Sequence, residues 1–138
     1  NINQLRTEIL EMRRKVHAGH PNGSGEFDLK HDSGGMVDIE FMVQFLVLAY
    51  SHQHPQLIGN LGNIALLRIA GEVALIDQKV ANSVGNAYRL LRACQHRLRL
   101  DGAEKTRIKL AAGSELSAAR ESVVALWLKI FQAPSEPQ

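Results

Sequence analysis

Apolar residues recur at helical spacing in several stretches of the chain, and the first of them lies at its start. One stripe alternates between spacings of three and four and comprises Ile2, Leu5, Ile9, Met12 and Val16. A stripe of this kind is the buried face of an amphipathic helix. Gly19 and Pro21 are expected to end the helix. Arg13, Arg14 and Lys15 are expected on its solvated face, near the carboxyl end where the helix dipole favours cations.

The stretch from Met36 to Ser51 is apolar on most of its sides. Before Ser51 its only polar residues are Asp38, Glu40 and Gln44. A helix that is apolar all round is typical of the middle of a bundle. We therefore expect this second helix to lie in the centre of the fold.

Three further helices follow in the second half of the chain. A short helix is expected over Asn63 to Ala70. Asp77 is a good amino-terminal cap for the next one, and Gly102 closes it. Its apolar positions are spaced by four and three and comprise Val80, Val84, Ala87, Leu91, Cys94 and Leu98. Ser114 is expected to cap a last helix that reaches about Gln132.

The connections contain one short extended segment. Residues 27–31 alternate between apolar and polar, which predicts an extended arm, and Ser33, Gly34 and Gly35 interrupt it. Residues 101–113 are polar and are expected to form a loop. We predict an all-α fold, a bundle of about five helices with a short extended arm near residues 27–31. Residues 1–33 would be a leading helix and arm, 34–133 the bundle and 134–138 a tail.

Composition and charge exclude several classes of protein. The chain has 138 residues, which suits one domain, and its formal net charge of +2 gives no reason to expect nucleic acid or a membrane as partner. Its single cysteine, Cys94, excludes a disulfide framework. The histidine pairs lack a third ligand at metal spacing, so no metal site is predicted. Because the chain opens on Asn1 in a helical pattern, we expect a piece of a longer protein.

The most unusual chemistry lies between Lys30 and Glu40. The pair Gly34 and Gly35 opens a helix, where backbone N–H groups could face an anion. Lys30 adds a positive charge, and Asp38 and Glu40 add carboxylates that suit Mg²⁺ or a polar partner. The alternative is structural: the glycines only turn the chain, the carboxylates only offset the helix dipole, and Lys30 is solvated.

A second candidate is the basic face of the fourth helix. Arg89, Arg92, His96 and Arg99 would line it. Such a face could dock an acidic partner or a neighbouring domain. The alternative is a face that is merely solvated or that forms salt bridges with other helices.

Several of these residues resemble the segment that follows the nucleotidyltransferase domain in bacterial glutamine synthetase adenylyltransferases. The resemblance rests on Asp28-Leu29-Lys30, Gly34-Gly35, Asp38-Ile39-Glu40-Phe41 with Gln44, Ala87-Tyr88, Leu91-Arg92 and His96-Arg97-Leu98. It spans nearly the whole chain. The related uridylyltransferases of the PII signal protein carry a looser form of the motif.

The resemblance implies a role beside an active site. In this family two copies of a nucleotidyltransferase domain are each followed by a helical domain, and Val37-Asp38-Ile39-Glu40-Phe41 resembles the second, adenylylating copy. It implies transfer of AMP from ATP to a tyrosine of glutamine synthetase, with Mg²⁺, and regulation by PII signal protein and glutamine in the cytoplasm. The nucleotide-proximal residues would be Lys30, Gly34, Gly35, Asp38 and Glu40.

The family's catalytic Gly-Ser followed by Asp-x-Asp is absent from this sequence. The residues that hold Mg²⁺ and ATP would therefore lie in an upstream nucleotidyltransferase domain, and we expect neither a catalytic residue nor a bound cofactor here. Two alternatives stay open. One is a non-catalytic interaction module that docks an acidic partner or a PII-type regulator through the arginine-rich face. The other is a bundle with only a packing role, centred on the helix of Phe41, Phe45 and Leu48.

Overall fold

Within the residues that the structure describes, five α-helices form where the sequence predicts them. The computed structural model describes residues 1–59 and 61–132. Its elements are α1 (Ile2–Gly19), β1 (Phe27–Asp28), α2 (Met36–Tyr50), a 3₁₀ turn (Pro55–Leu57), α3 (Asn63–Glu72), α4 (Gln78–Leu100), β2 (Arg107–Ile108) and α5 (Glu115–Phe131). The predicted fold class, a bundle of about five helices with a short extended arm, is confirmed. The predicted tail at 134–138 lies outside the described residues.

The predicted helix caps form as expected. The side chain of Asp77 accepts hydrogen bonds from the backbone N–H groups of Lys79 and Val80 at the start of α4. Ser114 accepts one from the N–H of Ser117 at the start of α5. Both caps satisfy amide groups that have no partner inside their own helix. These local signals explain why the starts of α4 and α5 could be read from the sequence.

Helix α2 is the centre of the bundle, as its apolar composition predicts. It packs against α1, α3, α4 and α5. Phe41 and Phe45 are buried. Leu48, expected beside them, is 58% exposed, so its expected place in the core is wrong. It lies on the same side of α2 as Gln44, and this side faces solvent. Because most residues of α2 are apolar on every side, the sequence does not clearly distinguish this exposed side from the buried ones.

The extended arm is one strand of a two-stranded antiparallel sheet. Phe27 pairs with Ile108, and Asp28 pairs with Arg107. The prediction of a loop throughout 101–113 is therefore wrong at 107–108. The strand β2 has only two residues, too few to show an alternation of apolar and polar positions. Its partner strand β1 lies about 80 residues earlier in the sequence, so no local pattern indicates the pairing. Phe27 is buried in the same core as residues of α2 and α5.

Helix α1 differs from its prediction at three positions, one of which is Ile2, expected on the buried stripe but 36% exposed. The guanidinium of Arg13 lies 3.9 Å from the centre of the Trp127 ring and binds Asp38, so its expected place on a solvated face is wrong. Met12, expected on the buried stripe, is 45% exposed. Arg13 is fixed by partners on α2 and α5, which the spacing within α1 cannot indicate.

None of the helices in the described parts of the chain is both long enough and apolar enough to cross a bilayer.

Candidate functional site

The loop that leads into α2 is organised around a buried carboxylate. One oxygen of Asp28 accepts hydrogen bonds from the backbone N–H groups of Lys30 (2.9 Å) and His31 (3.0 Å). Its other oxygen lies 3.3 Å from Nδ1 of His31 and 3.8 Å from Nε of Arg107. Burial of this carboxyl raises its pKa, but the hydrogen bonds from His31 and Lys30 outweigh that effect, and the pKa of Asp28 is lowered.

The lowered pKa of Asp28 predicts a loss of stability in acid. The folded state holds this carboxylate ionised more strongly than the unfolded chain does. Its contribution is therefore complete above the ordinary pKa of 3.8 and is lost as the pH falls below that value. In urea titrations at descending pH, Asp28→Asn should flatten this dependence. The exposed control Asp101→Asn should leave it as steep as in the unmodified chain, and equal slopes in all three proteins would refute the prediction.

The backbone amides at the start of α2 are already occupied. The N–H of Gly34 donates to Asp38 (2.8 Å), and the N–H of Gly35 donates to the carbonyl of Asp32 (2.8 Å). The next two amides of the helix donate to the carbonyls of Leu29 and Lys30. The expectation that these N–H groups are free to face an external anion is wrong, because Asp38 of α2 accepts from Gly34 and carbonyls of the preceding loop accept from the other three.

The two glycines are required by close packing inside the chain. Gly34 has a φ of +84°, and a Cβ there would lie 2.6 Å from Cγ of Arg120. A Cβ on Gly35 would lie 2.7 Å from the carbonyl oxygen of Leu29. Only glycine fits both positions without a shift of the neighbouring chain. This geometry fits the structural alternative, in which Gly34 and Gly35 turn the chain. That a nucleotide also lies near the two glycines stays a prediction.

Asp38 is the most buried charged group at the site. Its side chain is 1% exposed. Nε and a terminal nitrogen of Arg13 donate to its two oxygens at 2.9 and 2.6 Å. Because Gly34 also donates to it, Asp38 joins α1 to the loop and to α2, and Arg13 in turn lies on Trp127 of α5. Its carboxylate is thus fully engaged within the protein.

Glu40 belongs to a different cluster from Asp38. The hydroxyl of Tyr88 donates to Glu40 at 2.9 Å and accepts from Nδ2 of Asn63 at 3.2 Å. Burial and the neighbouring Glu40 carboxylate raise the pKa of Tyr88. This cluster joins α2, α3 and α4.

Lys30 lies in a polar cleft on another side of the loop. The cleft has a volume of about 360 Å³ and is rich in basic side chains. Its cationic lining residues are Lys30, Arg99, Lys105 and Arg107, beside His20 and His31. Of the five residues predicted near a nucleotide, Lys30 alone is among those that line it. Lys30 and Arg99, predicted in separate sites, are thus brought to one cleft.

The predicted docking residues do come together. Arg89, Arg92, His96 and Arg99 line one shallow depression of about 440 Å³ on the exposed face of α4. Arg99 lines both this depression and the cleft of Lys30. The two surfaces are therefore adjacent.

The carboxylates near the loop do not suit Mg²⁺. No group of three His, Cys, Asp or Glu side chains in residues 1–59 and 61–132 is placed to hold a metal ion. Asp28 and Asp38 already accept hydrogen bonds from backbone amides and lie beside arginines. A metal ion would have to displace these partners, so these residues do not fit it.

Sequence reasoning did not find three residues that organise the site. Arg13 and Tyr88 donate hydrogen bonds to the carboxylates of Asp38 and Glu40, and Nε of Arg107 lies 3.8 Å from the carboxylate of Asp28. Each pair joins residues that are 25, 48 or 79 positions apart. The one useful signal in the sequence is that a buried carboxylate needs a cation or a hydroxyl as a partner. This rule predicts that a partner exists, but it does not identify the residue.

The chain is similar to one family model and to several bacterial enzymes that share one name. Residues 3–119 match the family model described as GlnD PII-uridylyltransferase. The chain is 53% identical over 131 residues to a bifunctional glutamine synthetase adenylyltransferase/adenylyl-removing enzyme of Aromatoleum aromaticum. It is 54% identical over 129 residues to a protein of the same name from Burkholderia mallei. These matches cover 95% and 94% of the chain but only 14% of each relative, so the chain spans about one seventh of their length.

Proposed function

Because this chain belongs to the GlnD PII-uridylyltransferase family, we propose that it is a helical domain beside the catalytic unit of a bacterial nucleotidyltransferase. The proposed parent enzyme transfers AMP from ATP to a tyrosine of glutamine synthetase, and its other half reverses the transfer. This activity would regulate nitrogen assimilation.

The observation that carries the proposal is the identity of about one half to named adenylyltransferases over nearly the whole chain. Identity at this level means that the fold and the packing of this segment are shared with those relatives. The same similarity does not favour the alternative of a non-catalytic interaction module.

The geometry favours an auxiliary role for this domain, with the catalytic residues contributed by another domain of the same polypeptide. The carboxylates of Asp28 and Asp38 stabilise the fold, so Mg²⁺ and ATP would bind in an upstream nucleotidyltransferase domain of the same polypeptide. Lys30 lies at the edge of a basic cleft, where it can attract a phosphate group of that nucleotide. We propose Lys30 as the residue of this chain that lies nearest the nucleotide, with Gly34, Gly35, Asp38 and Glu40 holding the loop and helix behind it.

Regulation belongs to the same proposal. The description of the matching family names PII, which supports PII signal protein as a regulatory partner, and glutamine would be the metabolic signal. Since the proposed substrate is an enzyme of nitrogen metabolism, we place the parent enzyme in the cytoplasm.

Incorporation of labelled AMP tests the function directly. The full-length enzyme that carries this chain, incubated with ATP, Mg²⁺ and glutamine synthetase, should label one tyrosine of glutamine synthetase. The 138-residue chain alone should give no label. Absence of labelling by the full-length enzyme, or labelling by the short chain, would overturn the proposal.

The role of Lys30 predicts a selective loss of rate. Lys30→Ala in the full-length enzyme should lower kcat/KM for ATP by about tenfold, since one charged contact to a phosphate contributes roughly 1.5 kcal/mol. The control is Lys109→Ala, which removes a positive charge just after β2, at a residue that does not line the cleft. It should leave kcat/KM for ATP nearly unchanged. Unchanged kinetics in Lys30→Ala would make the loop a structural turn only.

A further inference from the structure

Positive charge is concentrated on one helix. Across its 23 residues α4 carries five cations and no aspartate or glutamate. Its cations are Lys79, Arg89, Arg92, Arg97 and Arg99. The whole chain has 16 cations and 14 acids, so the rest of it is net negative, with 11 cations against those 14 acids. The small net charge of the chain therefore hides a strongly basic helix.

The cations of α4 have no carboxylate partner in the described residues. The ion pairs found across 1–59 and 61–132 involve other arginines and a histidine. Arg89 donates only to the side chain of Asn86, and the guanidinium of Arg92 lies 5.7 Å from the ring of Tyr88. The alternative of a face that forms salt bridges with other helices is therefore wrong for the described part of the chain.

Four of the basic side chains form a row. At 100° per residue, Arg89, Arg92, His96 and Arg99 fall within roughly 80° of the helix circumference and extend over roughly 15 Å. Lys79 and Arg97 point roughly 120° away from the middle of this row. We call Arg89, Arg92, His96 and Arg99 the arginine row.

We propose that the arginine row is the docking surface for an acidic patch on the protein substrate of the parent enzyme. The proposal rests on the proposed function. A row of separated guanidinium groups on an open surface matches carboxylates spread over a protein face, whereas a single small anion needs groups that converge. The row thus holds the protein that is modified, next to the cleft in which we propose that Lys30 faces the nucleotide.

The lining of the row favours a transient contact over a permanent one. Its other lining residues are Ala93 and Gln95, and neither is a large apolar side chain. Permanent interfaces between domains or subunits resemble a hydrophobic core, whereas transient encounters depend on exposed complementary charge. An enzyme must release its modified protein substrate after each turnover, which a contact of this kind permits.

Two matched charge reversals in the full-length enzyme test the proposal. Arg89→Glu with Arg92→Glu changes the row and leaves in place Arg99, which also lines the cleft of Lys30, whereas Lys79→Glu with Arg97→Glu makes the same change of net charge on the same helix but off the row. In the off-row variant, Lys79→Glu at the start of α4 gains a favourable interaction with the helix dipole and Arg97→Glu in the last turn loses one, so the two effects oppose each other. The measurements are KM and kcat for glutamine synthetase and its Kd in a binding assay that needs no turnover, each at about 0.05 and 0.3 M salt.

The row variant should raise KM and Kd for glutamine synthetase about tenfold at low salt, with kcat within twofold, and should lose most of the salt dependence seen in the unmodified enzyme. The off-row variant should stay within about twofold of the unmodified enzyme. Equal effects in the two variants, or a lower kcat with unchanged Kd, would overturn docking through the row. An unmodified enzyme that binds glutamine synthetase through the row but transfers no AMP would instead refute the proposed function alone.

Discussion

Asp38→Ala is expected to lower the free energy of unfolding of the chain by about 3–5 kcal/mol, because removing one member of a buried ion pair leaves the other without compensation. Arg13 would keep its charge against Trp127 with no carboxylate beside it, and the N–H of Gly34 would lose its acceptor. Urea denaturation followed by circular dichroism measures the loss. A change below about 1 kcal/mol would show that the pair contributes little.

A double-mutant cycle separates this pair from other effects of the substitution. Arg13→Met removes the charge and keeps an apolar stem that can pack on Trp127. Adding it to Asp38→Ala should recover part of the stability, since no unpaired buried charge is left. Losses that simply add would mean that Asp38 acts without Arg13.

Phe45→Ala should lower the free energy of unfolding by a similar amount, about 3–5 kcal/mol, through the cavity it leaves. Phe45 is 1% exposed, and its ring lies 5.2 Å from that of Phe131 and 6.3 Å from that of Tyr50. The guanidinium of Arg6 covers it at 5.3 Å. Thermal or urea unfolding of the chain provides the measurement.

The same helix supplies the control. Leu48→Ala, three residues further on, should change stability by less than about 0.5 kcal/mol because the side chain is mostly in solvent. If the two variants were equally damaging, the burial pattern of α2 would be refuted.

The helices were predictable because their signals are local. Apolar spacing and the capping side chains of Asp77 and Ser114 act within one or two turns, so they can be read without knowing the fold. The central place of α2 also followed from its composition. Its exposed side was harder to predict, because Gln44 is the one polar residue on the stripe of Leu48 and the residues around Leu48 itself are apolar.

The site was only half predictable, since its partners are distant in sequence. The motif around Gly34, Gly35 and Asp38 could be recognised, but its electrostatics depend on Arg13, which α1 brings from 25 residues away. Physical reasoning offered an anion site for the glycines beside the alternative of a structural turn, because a helix start offers free amides. The loop had already used those amides, and only the three-dimensional arrangement shows it.

The pairing of Phe27 with Ile108 ties the start of the chain to the connection between its last two helices. Closing so long a segment costs more chain entropy than forming any helical hairpin, so we expect this contact to be made late in folding. Because Asp28 lies in the same strand, displacement of the 101–113 segment would pull directly on the turn that precedes α2. The two-residue sheet thus connects the carboxyl end of α4 mechanically to the turn before α2, so a movement of the first would be transmitted to the second.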